Sequence, residues 1–180
     1  MKKFCLFLCL ILILGSFSSC GESATEEVSS ITLDDGSAVN IDINIKEKMF
    51  SVQTQDLLTN FKDNEGKIVR IVGYLGRAQD TKSGEWCYFV YRYKLDSTGC
   101  CYVPSMIEMI WEDSGKTYSQ NDNWKLDKVL ETGGYTFYKT DEWVEAVGTY
   151  GYYTLGGNKY AGMTLISLKD AGKVGKTYVS

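Results

Sequence analysis

Three cysteines carry most of the reactive chemistry this chain offers: Cys87, and the adjacent pair Cys100-Cys101. The sequence contains no histidine. That removes Ser-His-Asp and Cys-His catalysis and every His-containing metal site. The thiols leave four readings. A disulfide from Cys87 to one member of the pair would staple two strands together and leave one buried thiol. A vicinal Cys100–Cys101 bridge would be strained, and strained bridges are easily reduced, which suits a redox role. Thiolate ligation would favour zinc or copper(I), with Asp96, Glu108 or water completing the set. Adjacent residues on a straight strand point to opposite faces. Both sulfurs therefore reach one ion only if residues 99–103 turn, and Gly99 and Pro104 are turn formers. The fourth reading is plain core packing.

A fourth cysteine has a different role. Met1-Lys2-Lys3 is followed by an apolar run from Phe4 to Leu14 and then by Phe17-Ser18-Ser19-Cys20. A charged start, a short apolar middle and small residues at the end make an export signal. The run is about half the length a bilayer-spanning helix needs, and Gly15 and the serines interrupt it early. A Cys directly after two small residues reads as a lipoprotein-processing site, with Cys20 as the lipidated residue. The expected organisation is a signal peptide at 1–19, a flexible acidic tether at 20–30, one domain at 31–168 and a polar tail at 169–180. The expected location is extracytoplasmic, on the cell membrane or outer membrane, anchored by lipid.

The elements that must position the cysteines follow from periodicity. Asp35-Gly36 between β-rich segments, with Val39, Ile41, Ile43 and Ile45 alternating, predicts a hairpin. Ser51 to Asn64 predicts a helix with Leu57, Leu58 and Phe61 on one face and Gly66 as its stop. Strands are predicted at 67–75, 85–95, 106–111, 142–154 and 159–168. Asn121-Asp122 could cap a short helix through Leu130, ended by Gly133-Gly134. Two strands share a phrase, Val69-Arg70-Ile71-Val72-Gly73 and Val144-Glu145-Ala146-Val147-Gly148. A glycine where each strand must coil suits a small closed barrel. The predicted fold is mainly β: an OB-like five-stranded barrel with one or two short helices, preceded by an N-terminal hairpin.

These segments also carry a resemblance. Gly66 to Tyr74, Tyr88 to Tyr93, Cys100-Cys101-Tyr102 and Trp143 to Gly148 together resemble exported bacterial OB-like domains of uncharacterised function. One such family is the soluble C-terminal domain of a putative two-subunit membrane permease. Another comprises short exported proteins whose Cys-Cys pair precedes an aromatic residue and a Pro. The likeness covers roughly residues 55–168, and its distinctive motif is the Cys pair. In the permease-associated domains an Arg lies closer before the pair than Arg92 does here. An acidic residue also follows the pair there, where this chain has Val103-Pro104. The resemblance brings no catalytic residues with it.

Charge and aromatics narrow the expected function. The formal net charge of −4 becomes −6 without Lys2 and Lys3, which disfavours a phosphate backbone as partner. Trp86, Tyr88, Tyr91, Tyr93 and Trp111 suit either cross-strand packing, the commoner role, or a stacking platform on the barrel face. Tyr150, Tyr152, Tyr153 and Tyr160 flank the last hairpin and form a candidate binding surface if exposed together. Arg92, on an apolar strand, belongs in an ion pair or at the barrel rim, or less often binds an anion as part of a candidate surface with Trp86, Tyr88, Tyr150, Tyr152 and Tyr153; Glu108 is expected in solvent. No pair of acids stands out for general acid–base work. The expectation is a non-catalytic binding or assembly module, tethered by lipid, that recognises an envelope protein or glycan, with no nucleic acid and no cofactor. The alternative is a thiolate metal or redox accessory protein, using zinc or copper at Cys100-Cys101.

Overall fold

The computed structural model describes residues 28–82, 84, 86–110, 127–132, 135–155, 157–172, 175 and 177–179. Cys20, the signal and most of the tether fall outside these residues, as do Trp111 and residues 121–126. The described chain begins with the expected hairpin. Ser30–Thr32 (β1) pairs antiparallel with Ala38–Asn40 (β2) across Asp35-Gly36. The Asp35 carboxylate accepts from the Ser37 amide at 2.9 Å and Gly36 sits at φ +84°. The alternating isoleucines do not continue that strand. Ile43–Asn44 (β3) instead pairs parallel with the first barrel strand.

A 3₁₀ turn over Glu47–Met49 leads into Phe50–Thr59 (α1), and Phe61–Asn64 (α2) follows after a break at Asn60. Phe50, Thr54 and Leu57 are buried, whereas Leu58 is 52% exposed, so the apolar face is one position narrower than its sequence suggests. The Thr54 hydroxyl donates to the Phe50 carbonyl at 2.8 Å and lies 2.7 Å from the Ser105 hydroxyl. This pair of hydroxyls docks α1 onto the barrel.

The barrel is closed. Ile68–Asp80 (β4), Trp86–Leu95 (β5), Tyr102–Ile110 (β6), Tyr135–Leu155 (β8) and Asn158–Asp170 (β9) pair in the circuit β4-β5-β6-β9-β8-β4. All contacts are antiparallel except the short parallel seam between β6 and β9. This is the order of an OB-type barrel. Its interior holds Val69, Ile71, Leu75, Val90, Ile107, Met109, Val144, Ala146, Tyr150 and Met163. Ala78, Cys87, Phe89 and Tyr91 form a second buried cluster, against which Tyr74, Tyr93 and Met106 pack.

Two expectations fail. Residues 127–130 are not helical, because Asp127–Thr132 (β7) pairs antiparallel with the start of β8. Gly133-Gly134, read as a helix stop, lies outside the described residues. The tail is not featureless either. β9 runs on to Asp170, and Tyr178–Val179 (β10) pairs parallel with β5. Two residues are too few for periodicity to register.

The repeated glycines answer to close approach. A Cβ on Gly73 would lie 2.7 Å from the Tyr91 carbonyl oxygen, and one on Gly148 would lie 2.4 Å from that of Thr164. Both obstacles are backbone, so the strands themselves would have to part. Gly148→Ala should therefore lower unfolding free energy by about 1–3 kcal/mol, as overpacking does. Gly151, in the same strand, has nothing within 4 Å of its would-be Cβ, and Gly151→Ala should leave the urea midpoint close to the parent's. Equal midpoints for Gly148→Ala and the parent would contradict the close contact.

Candidate functional site

The β5–β6 hairpin carries the Cys pair at its tip. Asp96-Ser97-Thr98-Gly99 has Asp in the first position of a turn and Gly in the fourth, the arrangement a type I turn prefers. The Gly99 amide donates to the Asp96 carbonyl at 3.0 Å, and the Asp96 amide donates to the Cys101 carbonyl at 2.9 Å. Gly99 sits at φ +71°, a conformation that costs a glycine little. Asp96 Oδ1 gathers the loop, accepting from the Thr98 amide at 3.1 Å, the Thr98 hydroxyl at 2.8 Å and the Cys100 amide at 3.2 Å. These bonds hold the carboxylate below its ordinary pKa, the Thr98 hydroxyl contributing most.

This turn puts both sulfurs on one side. Cys100 Sγ and Cys101 Sγ are 3.1 Å apart, and both residues are exposed. Thr98 Oγ1 also lies 3.2 Å from Cys100 Sγ, and Asp96 Oδ2 lies 3.9 Å from it. The Thr98 hydroxyl, and then the Cys101 thiol, lower the pKa of Cys100. Cys101 is pushed up, first because its hydrogen bond to Cys100 keeps its proton in place. The pair thus gives up one proton readily and the second reluctantly. Pro104, expected in the turn, lies inside β6 opposite Tyr93. Its missing N–H costs nothing there, because among the described residues β6 meets β9 only at Met109 and Ile110.

Cys87 does not join them. Tyr88 pairs with Met109 at one end of the hairpin, and Leu95 pairs with Tyr102 at the other. Cys87 is thus separated from the pair by about 25 Å of strand at ~3.3 Å per residue. A bridge spanning that distance is excluded, since bonded cysteines need Cα atoms within ~7 Å. Cys87 is buried in the second cluster, its Sγ 3.7 Å from the Ala78 carbonyl oxygen.

The proposed aromatic surface does not assemble. Tyr88, Tyr150 and Tyr153 are buried, Trp86 is half-buried and Tyr152 is 48% exposed. Tyr150 donates to the Leu57 carbonyl at 2.9 Å inside the barrel, and burial pushes its pKa up to about 12. Tyr152 packs on Phe61, with Lys159 Nζ 3.8 Å from its ring centre. Arg77 lies over Trp86.

Arg92 is a structural wedge. It lies just past Tyr74–Tyr91, the last pair joining β4 to β5. Its Nε donates to the Val72 carbonyl at 2.9 Å, and its guanidinium faces Glu47 at 3.5 Å between the rings of Phe50 and Trp143. Burial lowers its pKa, and Glu47 partly offsets this.

Glu108 departs most from its expectation. It is half-buried rather than solvated, and accepts a hydrogen bond from the Tyr153 hydroxyl. It borders a cleft of about 300 Å³ between α1 and the β6–β9 seam, lined by Leu57, Leu58, Ile107, Tyr150, Tyr160 and Ala161 among others. Sequence reasoning missed this cleft, because it lies between segments distant in the chain. It also missed Thr98, although the Asp-x-x-Gly spacing marks the turn. No family model, no curated protein and no solved structure matches this chain.

Burial raises the Glu108 pKa above its ordinary 4.5, while the Tyr153 hydrogen bond pulls it back. The folded state then holds the proton to higher pH than the unfolded state does, so this group's contribution to stability falls as pH rises through the folded-state pKa. Glu108→Gln keeps an acceptor for Tyr153 and removes the titration. Its stability relative to the parent should be greater at pH 8 than at pH 4, read from urea midpoints. A difference that stays constant between the two pH values would exclude a raised pKa.

Proposed function

We propose that this chain is a non-catalytic binding module, held on a membrane through lipid at Cys20 and working outside the cytoplasm. The cleft between α1 and the barrel seam supports this reading. Its walls are mostly apolar and its volume of about 300 Å³ is at the lower end for ligand sites. That space suits one large apolar side chain of a partner, or a small apolar ligand. Glu108 at the edge offers an acceptor for a hydrogen-bond donor on the same group. Tyr88, Tyr150 and Tyr153 are buried, so they offer no face to a sugar ring beside the cleft, which favours a protein of the envelope over a glycan there. The acidic balance argues against nucleic acid.

Leu58 lines the cleft and Val52 lies on the same helix; both are exposed. A photo-crosslinking amino acid placed at Leu58 in cells should give a discrete adduct with one partner, and the same group at Val52 should not. Ala161→Trp, which fills the cleft, should abolish the Leu58 adduct. The absence of a discrete adduct at Leu58, or an equal one at Val52, would defeat the cleft as a binding site. The tether is tested separately. Cys20→Ala should move the protein from the membrane fraction to the soluble fraction, and unchanged membrane association would rule out lipid at Cys20 as its anchor.

A further inference from the structure

The cleft makes no use of the hairpin tip, which has a donor set of its own. We propose that Asp96, Cys100 and Cys101 form a Zn²⁺ site with an open fourth position. This narrows the sequence-based alternative, taking Asp96 from its candidate ligands and zinc over copper. The ligand atoms of the three residues all lie within 4.8 Å of one another. The two oxygens of Asp96 divide the work. Oδ1 is occupied with the Thr98 and Cys100 donors that shape the turn, while Oδ2 faces Cys100 Sγ at 3.9 Å. One oxygen builds the loop and the other lies beside Cys100 Sγ.

The donor chemistry selects the ion. Two sulfurs exclude calcium and magnesium, which take oxygen ligands. A carboxylate beside them disfavours copper(I), which prefers sulfur alone. Zinc accepts both, at about 2.3 Å to sulfur and about 2.0–2.2 Å to a carboxylate oxygen. Tetrahedral binding at those lengths separates two sulfurs by roughly 3.8 Å. The 3.1 Å pair must therefore open slightly and the 3.9 Å sulfur–oxygen gap must close slightly. All three ligands lie in the one turn between β5 and β6, within six residues of sequence.

Binding releases thiol protons, because the metal takes the thiolate form of each cysteine. Three protein ligands on an exposed tip leave the fourth position to water or to a donor from another molecule, the pattern of a non-structural zinc site. Such a site can give up its ion or share it.

The test uses the full chain, purified in detergent under anaerobic conditions with its thiols reduced, and Zn²⁺ or Co²⁺ alone as probe. The parent should bind one equivalent of Zn²⁺ more than the Cys100→Ser/Cys101→Ser double variant, which subtracts any contribution from Cys5, Cys9 and Cys20. Co²⁺ should give a thiolate-to-metal charge-transfer band that Cys87→Ser retains and the double variant lacks. Asp96→Asn keeps an Oδ1 acceptor for the turn and both sulfurs. It should keep the band while weakening Zn²⁺ affinity at least about tenfold in chelator competition, with an unchanged circular dichroism spectrum. Binding by the parent no greater than by the double variant would overturn the site. Parent-like affinity in Asp96→Asn would overturn the third ligand.

Discussion

Among the described residues, two residue pairs close the barrel: Met109 with Met163, and Ile110 with Thr164. Every other neighbouring pair of barrel strands is stitched by a longer antiparallel ladder. The interior residues Val90, Ile107, Val144 and Met163 share one buried cluster with Phe50 and Leu57 of α1. The seam holds because β8 and β9 can approach closely at Gly148, whose neighbour across the gap is the Thr164 carbonyl of the seam itself. The shortness of the seam matters as much as its presence. Below Met109, β6 and β9 are not paired, and α1 lies over the opening with Thr54 against Ser105. The cleft is what remains of that opening.

At the opposite side of the ring the strands part for a different reason. β4 and β5 stop pairing at Tyr74–Tyr91, and Arg92 fills the divergence. A buried guanidinium is costly unless its donors are met. The Val72 carbonyl, Glu47 and two aromatic rings surround it. β10 lies along the far end of β5, and Tyr178 stacks between Tyr93 and Tyr102. Tyr102 is the residue after the Cys pair. The C-terminal segment thus buttresses the strand ends from which the Asp96–Cys101 tip projects.

Much of this architecture was legible in the residues. Alternation in Val69-Ile71-Leu75 and Ile107-Met109 marks strands with one buried face, and Asp35-Gly36 marks a hairpin. The glycines at 73 and 148 pointed to a coiled barrel, although their physical role is backbone contact as much as curvature. What escaped was long-range. Period-2 patterning shows which face of a strand is apolar, but both faces of β5 are buried here, one in the barrel and one in the second cluster. Tyr88 and Tyr91 therefore read alike. Glu108 looked solvated because it alternates with apolar neighbours, and its burial shows in contacts from Tyr153 and Cys87, both distant in the chain. The Cys pair was placed in a turn correctly, but Pro104 was not part of it. Asp96 sets that turn, through hydrogen bonds that no spacing rule counts.

The parallel seam also bears on how the chain reaches this state. The β5–β6 and β8–β9 hairpins are local and can form early, since their ends meet across short loops. Met109 and Met163 are separated by all of β7 and β8, so their meeting requires a long loop to close. Until that happens, β6 and β9 each present an unpaired edge, the state in which a β protein is most prone to pair with a neighbouring copy. Ring closure, more than any hairpin, is then the step at which productive folding and self-association compete.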